Sequence, residues 1–291
     1  MLSKNPKFNE TQHGVHSDTC EKLYCHNPGL ALKRVKKHKP DCIFVSKQYD
    51  LETIRTIITY GCPLMYFYGD YRVPILDTTH FFMKRARAVM LTWKRPDIYK
   101  MYNCYLTRQG VNADIWKPLE NVMEDYDVVF TGGNYGRAIR LDIIKRLRED
   151  FKILLVGPNW HEYPYFRPKS PFPDSNFYLN QGSVNIGTFS VGDFSDLMYY
   201  TSNRMYQGMA SGKPHIAVKT PRLASCFEPE DHFLQYPARD YDALKKIIIE
   251  LLNDKPLRVK IGKAQRAAIL RDNTIWHAWQ RMEKVIRENL K

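Results

Sequence analysis

The feature that most constrains this chain is an alternation: from residue 41 onward, apolar runs of strand length take turns with amphipathic runs of helix length. "CIFVS" (42–46), "PLMYFYGD" (63–70), "RAVMLT" (87–92) and "NCYLT" (103–107) have the composition of buried strands. Between them stand "DLETIRTIITYG" (50–61), with Asp50 as N-cap, Leu51, Ile54 and Ile58 on one face and Gly61 as a stop, and "PDIYKMY" (96–102), opened by Pro96. A second series follows: the strand "YDVVFTGG" (126–133), the helix "RAIRLDIIKRLRED" (137–150), and the strands "FKILLVGPNW" (151–160), "SVNIGTF" (183–189) and "HIAVK" (215–219). Further helices are expected at 240–254 and 274–289, the last with Ile275, Trp279, Met282 and Ile286 in one stripe. Parallel neighbours need a crossover, so strands alternating with helices predict parallel sheets. Two series predict two doubly wound domains, with the polar stretch 109–125 as linker and "YPYFRPKSPFPDSN" (163–176) as a Pro-rich loop.

Parallel sheets bind ligands outside the carboxyl ends of their strands. That rule selects four loops: "YGDYR" (68–72), "TGGNYGR" (131–137), "GPNWH" (157–161) and the run into "TSNRMYQGMASGKP" (201–214). The glycines of "TGGNYGR" suit either a tight strand-to-helix turn or a phosphate cradle at a helix N-terminus. Their spacing is neither a dinucleotide fingerprint nor a P-loop. Arg137 and Arg140 stand in the first helical turn, where a cation opposes the helix dipole unless an anion offsets it.

In 201–214, Ser202 or Asn203 can cap a helix, Gly212 can take the left-handed position after it, and Pro214 prevents continuation. Met205 and Met209 are expected in the core. Arg204, Gln207, Gly208 and Ser211 share the other face. Gly208 costs about 1 kcal/mol relative to Ala in a helix, which predicts that something approaches its backbone closely. A short polar-faced helix with packing glycines is the plainer alternative.

Charge bounds the partners. The 291 residues carry a formal net charge of +13, and the first 118 hold 19 Lys and Arg against 10 Asp and Glu. "ALKRVKKHKP" (31–40) and "MKRARAV" (83–89) are the densest runs, so an anionic partner is expected. The opening residues lack a signal-peptide pattern and no run is long enough to span a bilayer, which points to the cytoplasm. The six cysteines form no CxxC pair, and His13, His16, Cys20, Cys25 and His26 match no standard zinc spacing, so neither a disulfide framework nor a metal is expected.

The span from about 126 to 287 resembles the donor-binding half of GT-B glycosyltransferases, in particular the CgeB-like group related to the large retaining bacterial family. The resemblance rests on 126–147, "ILLVGPNW" (153–160), "SNRMYQGMASGKP" (202–214), which is similar to the family's R-x-x-E-x-x-A-x-G helix, and 227–254. In the N-terminal half, "KPDCIFV", "YGD" and "GVNADIWKP" stand in the usual order. It implies two Rossmann-like domains facing across a cleft: a reduced, basic acceptor-side domain over 1–118, a nucleotide-sugar domain over 119–273, and a C-terminal helix, 274–291, that can pack back on the first. It also implies a nucleotide-sugar co-substrate, with UDP the leading nucleotide, and no cofactor or metal. Carried over by position, Arg204 faces the donor diphosphate and Gln207 replaces the Glu that binds ribose hydroxyls. Tyr199 stands where the family has an earlier Glu. The donor set comprises Gly132, Gly133, Asn134, Arg137, Arg140, Trp160, Asn203, Arg204, Gln207 and Gly208.

Transfer requires stabilising the charge that develops on the leaving β-phosphate, a task for Arg204, Arg137, Arg140 and helix N-termini. Asp70 is placed either as a base toward the acceptor hydroxyl or to position the acceptor. The acceptor set is Tyr71, Arg72, Trp93, Lys84 and Arg85. DNA bearing hydroxymethylated bases is one acceptor known for GT-B enzymes; there, Lys and Arg would track phosphates while Tyr71, Phe81, Phe82 or Trp93 stacks on an extruded base. A surface glycan, a lipid-linked saccharide or a protein are the other acceptors. A non-catalytic nucleic-acid or sugar-nucleotide binding protein is the alternative of another class.

Overall fold

The computed structural model describes residues 33, 36–37, 39–46, 61–69, 75, 77–134, 138–167, 172–187, 199–220, 227 and 233–290. The chain divides into two compact units, Met1–Arg108 with Ile275–Lys291, and Gln109–Thr274.

In the first unit, β1 (Ile43–Ser46), β2 (Leu64–Tyr68), α1 (Asp77–Arg85), β3 (Ala88–Leu91), the two-residue β4 (Trp93–Lys94), α2 (Pro96–Met101) and β5 (Cys104–Leu106) follow in order. A four-stranded sheet runs β1-β2-β3-β5 with every pair parallel. The helix expected at 50–60 lies outside the described residues. Strand alternation sends Met65 and Tyr66 to opposite faces, and both faces are covered. On one, the Tyr66 ring stacks on Phe82 of α1 at 4.8 Å. On the other, Met65, Ala88 and Met90 pack against Met282 and Ile286 of the C-terminal helix (Ile275–Leu290), and Trp279 meets Phe44 edge-on. The apolar stripe is thus what seats that helix.

The second unit contains β6 (Tyr126–Thr131), α3 (Ala138–Asp150), β7 (Ile153–Val156), β8 (Phe166–Arg167), α4 (Phe172–Asn180), β9 (Gly182–Ile186), β10 (Tyr199–Tyr200), α5 (Asn203–Ala210), β11 (His215–Val218), β12 (Gln235–Tyr236), α6 (Tyr241–Asn253) and α7 (Lys255–Asp272). Its parallel six-stranded sheet has the order β12-β11-β9-β6-β7-β8. Val128, Phe130, Leu155, Ile186 and Ile216 face Ile144, Leu147, Leu244 and Ile248 of α3 and α6. Val129, Leu154 and Ala217 face Met205 and Met209 of α5 and Ile269 of α7.

Three sequence expectations change here. The stretch 109–125 is a strap on the second unit rather than a free linker: Val111 and Trp116 are buried, and Asn176 and Asn180 of α4 hold the backbone of Lys117 and Leu119. Further along it, Glu124 pairs with Lys213 and Arg258 at 2.6 and 2.8 Å. The Pro-rich loop contains β8 and the start of α4, whose Pro173 sits in the first turn, where its missing N–H costs nothing. Helix α7 is additional. It buries Gly262, Gln265 and Ala268 beside Ile261 and Ile269, so it shows no apolar stripe. Its start is marked instead by Asp254, which accepts from the Leu257 N–H at 2.8 Å.

Candidate functional site

The order of the second sheet reverses between β6 and β9: β7 and β8 lie to one side, β9, β11 and β12 to the other. The carboxyl ends of β6 and β9 therefore flank a topological switch point, the place where parallel sheets bind ligands.

The turn after β6 is locked. Gly132 and Gly157 adopt φ of +146° and +148°, and a Cβ on Gly157 would lie 2.5 Å from the Gly132 carbonyl oxygen, so the ends of β6 and β7 touch through bare backbone. The Gly132 N–H donates to Val156 at 2.7 Å, and the Asn134 N–H donates to Pro158. The turn's own carbonyls are taken as well. Trp160 Nε1 donates to Gly132 at 2.6 Å, Arg140 Nη1 to Gly133 at 2.5 Å, and Asn159 Nδ2 to Asn134 at 2.9 Å.

Two members of the expected donor set thus support the turn itself. Trp160 is fully buried, and Arg140 is buried with its guanidinium on the turn. Each donates to a carbonyl of the turn, so each fixes the backbone there.

Arg204, in the first turn of α5, reaches this place. A Cβ on Gly132 would meet its Nη2 at 2.7 Å, so the guanidinium lies directly on the glycine. It also lies 5.1 Å from the Phe130 ring centroid, with Arg140 at 5.4 Å from the same ring. Only a residue without a side chain admits this approach.

Helix α5 follows the expected pattern at its ends and core. Ser202 is the N-cap residue, Met205 and Met209 are buried, and Gly212 has φ +78° after the C-cap. Asn203 is exposed and Gln207 half-buried. The supposed ligand face divides, however. Gly208 and Ser211 are buried; Ser211 Oγ donates to the Gly208 carbonyl at 2.6 Å and accepts from Asn185 Nδ2 at 3.2 Å. What approaches the Gly208 backbone is His215 of β11: a Cβ there would sit 2.2 Å from Nδ1.

Sequence reasoning passed over His215. The residue is 2% exposed, and burial first, then the Arg204 charge, push its pKa down to about 3, so the imidazole is neutral. Gln265 of α7 brackets its backbone, accepting from the N–H at 2.7 Å and donating to the carbonyl at 3.0 Å. A readable signal existed in a polar first residue on an otherwise apolar strand, next to a helix with a central glycine.

Asp70, Tyr71, Arg72 and Arg137, and the cluster from His13 to His26, lie outside the described residues. In the first unit, Trp93 and Phe82 are fully buried core residues, Trp93 meeting Tyr68 edge-on at 6.4 Å, so neither offers a face to an extruded base. Phe81 is half-buried beneath Arg85, whose Cζ stands 3.6 Å from the ring centroid. Lys84 and Arg85 are exposed in the last turn of α1. Two residues on, the Arg87 N–H bonds the Leu64 carbonyl at the start of β2, which puts this run at the amino ends of the strands. Lys39 leads into β1 at the same edge. Among the described residues, no cluster of His, Cys, Asp or Glu is arranged to hold a metal ion, and no helix is long and apolar enough to cross a membrane.

Comparisons place these features in a family. The sucrose-phosphate synthase (tll1590) of Thermosynechococcus elongatus superposes with a TM-score of 0.67 at 15% identity, over 90% of this chain and 76% of that one. Anabaena Alr3699/HepE, solved in complex with UDP and glucose, gives 0.65 at 12% identity, over 89% and 80%. The T4 phage β-glucosyltransferase gives 0.59 at 14%, over 89% and 85%. These likenesses establish an α/β fold with parallel sheets resembling GT-B glycosyltransferases, as the sequence led us to expect. No curated protein sequence matches. The glycosyl transferase-like family matches residues 137–284, half of the chain, and to that family this protein belongs.

Proposed function

We propose that the chain is a nucleotide-sugar-dependent glycosyltransferase of the CgeB-like group, moving a hexose from a UDP-sugar to an acceptor hydroxyl without a metal. The supporting observation is the Arg204 guanidinium lying on Gly132 at the β6 end of the switch point. A cation fixed on bare backbone beside a helix N-terminus suits a diphosphate, and it stabilises the charge that develops on the leaving phosphate. Gln207, half-buried on the same helix, serves the ribose: an amide both donates to and accepts from hydroxyls. HepE was solved with UDP and with UDP-glucose, which makes uridine the base to test first. Cys42, Cys62 and Cys104 are free thiols, in keeping with a reducing compartment such as the cytoplasm.

For the acceptor, DNA with hydroxymethylated bases is our leading candidate, on the strength of the basic runs. Lys84, Arg85 and Lys39 stand at the strand amino ends, so they would contribute affinity for the backbone rather than chemistry.

Calorimetry with UDP in the presence of a chelator tests the donor site; the absence of binding at millimolar UDP defeats it. Transfer of labelled glucose from UDP-glucose to hydroxymethylated duplex, against unmodified duplex and against glycan, lipid and protein acceptors, tests the second half. UDP binding without transfer or donor hydrolysis would instead mark a sugar-nucleotide binding protein.

A further inference from the structure

His215 occupies a slot made by two glycines. A Cβ on Gly208 would fall 2.2 Å from Nδ1 and 2.8 Å from Cγ, and one on Gly187, at the carboxyl end of β9, would fall 3.0 Å from Nε2. The His215 backbone is held by Gln265, and the Nδ2 of the neighbouring Asn185 donates to Ser211, which in turn holds Gly208. Neither ring nitrogen has a hydrogen-bond partner among the described residues, and the same holds for Asn185 Oδ1 on the paired strand.

As a filler, this choice is costly twice. A buried polar atom left unsatisfied keeps its full desolvation penalty, and a glycine inside α5 is a poorer helix former than alanine. A leucine would fill comparable space with neither nitrogen. The hydrogen-bonding capacity is therefore unspent, and it lies beside Arg204 and next to the β9 end of the switch point. Gly187 keeps Nε2 clear of any side chain from that direction.

Resting on the donor-site proposal above, we infer that His215 is a donor-binding residue whose Nε2–H is reserved for a phosphate oxygen of the bound nucleoside diphosphate. A neutral imidazole can donate one such bond while Arg204 supplies the charge.

The test uses the full chain, with melting curves and titrations of UDP and UMP for wild type, His215→Leu, His215→Gln and Gly187→Ala. We expect His215→Leu to melt at or above wild type, because two unsatisfied nitrogens are gone, and yet to bind UDP about tenfold more weakly, the loss of one hydrogen bond to a charged group. His215→Gln should recover part of the affinity, and Gly187→Ala, whose Cβ would crowd Nε2, should lose it with little change in melting. A folded His215→Leu protein that binds UDP like wild type overturns the inference. If that variant does not fold, wild-type UDP affinity in Gly187→Ala overturns it equally. Wild-type chain that binds no UDP would instead remove the donor site itself, and this inference with it.

Discussion

The two sheets of this molecule are built alike and loaded differently. Both are wholly parallel among the described residues, and both are covered on two faces. The second reverses its order between β6 and β9, and its polar residues converge there: Arg204 on Gly132, Arg140 on Gly133, His215 between Gly187 and Gly208. The described strands of the first run in one direction without reversal, and its exposed cations at Lys39, Lys84, Arg85 and Arg87 stand at the strand amino ends. Charge density and site location are therefore separate properties. Cations at the end of α1 are favoured by the helix dipole, whereas Arg204 lies on a glycine at a switch point, the place where parallel sheets bind ligands.

The largest effect we expect is on turnover. Arg204→Ala should lower it by about 10²–10³-fold, as loss of one preorganised charge-stabilising donor does, with little change in melting temperature. Steady-state kinetics beside a melting curve checks this, and near-normal turnover would return α5 to a packing role. Next comes Gly157→Ala. With φ at +148° and the Gly132 carbonyl 2.5 Å from the new Cβ, the β6 and β7 turns must separate, at a cost of about 2–5 kcal/mol from strain and overpacking together. Denaturant unfolding measures the loss, and UDP affinity should fall with it. Unchanged stability would show that the turn is looser than its contacts imply.

A smaller effect concerns the strap. Burial raises the Glu124 pKa, but Lys213, Arg258 and Ser183 outweigh it, leaving the carboxyl below its ordinary value of 4.5. A lowered folded pKa contributes stability that is present above about pH 4.5 and is lost as pH falls through the folded value. Glu124→Gln should thus be less stable at neutral pH, by about 1 kcal/mol, and the gap should narrow as pH falls through the folded value. A gap that stays constant down to pH 3 would mean that the charge contributes nothing.

The smallest expected change in stability tests the other sheet. Reversing Lys84 and Arg85 to Glu should leave UDP affinity intact and stability within about 0.5 kcal/mol, while reducing the salt slope of duplex DNA binding by about two. Loss of UDP binding in that variant would break the contrast between the two units.

Much of the fold was legible because strands and crossover helices differ in period, and the Met205/Met209 stripe and the Gly212 stop are local signals. Helix α7 was not, because it meets α5 through bare backbone: a Cβ on Gly262 would lie 2.1 Å from the Gly212 carbonyl oxygen, so an apolar stripe is not what docks it. The site was half legible. Arg204 could be singled out from a helix that repeats a known pattern, whereas the hold of Trp160 and Arg140 on the carbonyls of the β6 turn could not be read from the sequence.

The sequence by itself determined the alternation of strand and helix, the caps and stops, the family, and the excess of positive charge, since each is written in neighbouring residues. Only the tertiary structure decided which of those residues lie against one another. Gly208 and His215 are seven positions apart in sequence, and Arg204 and Gly132 are seventy-two; they meet because two helices and the carboxyl ends of parallel strands are packed around a reversal in strand order, and no local pattern encodes that closeness.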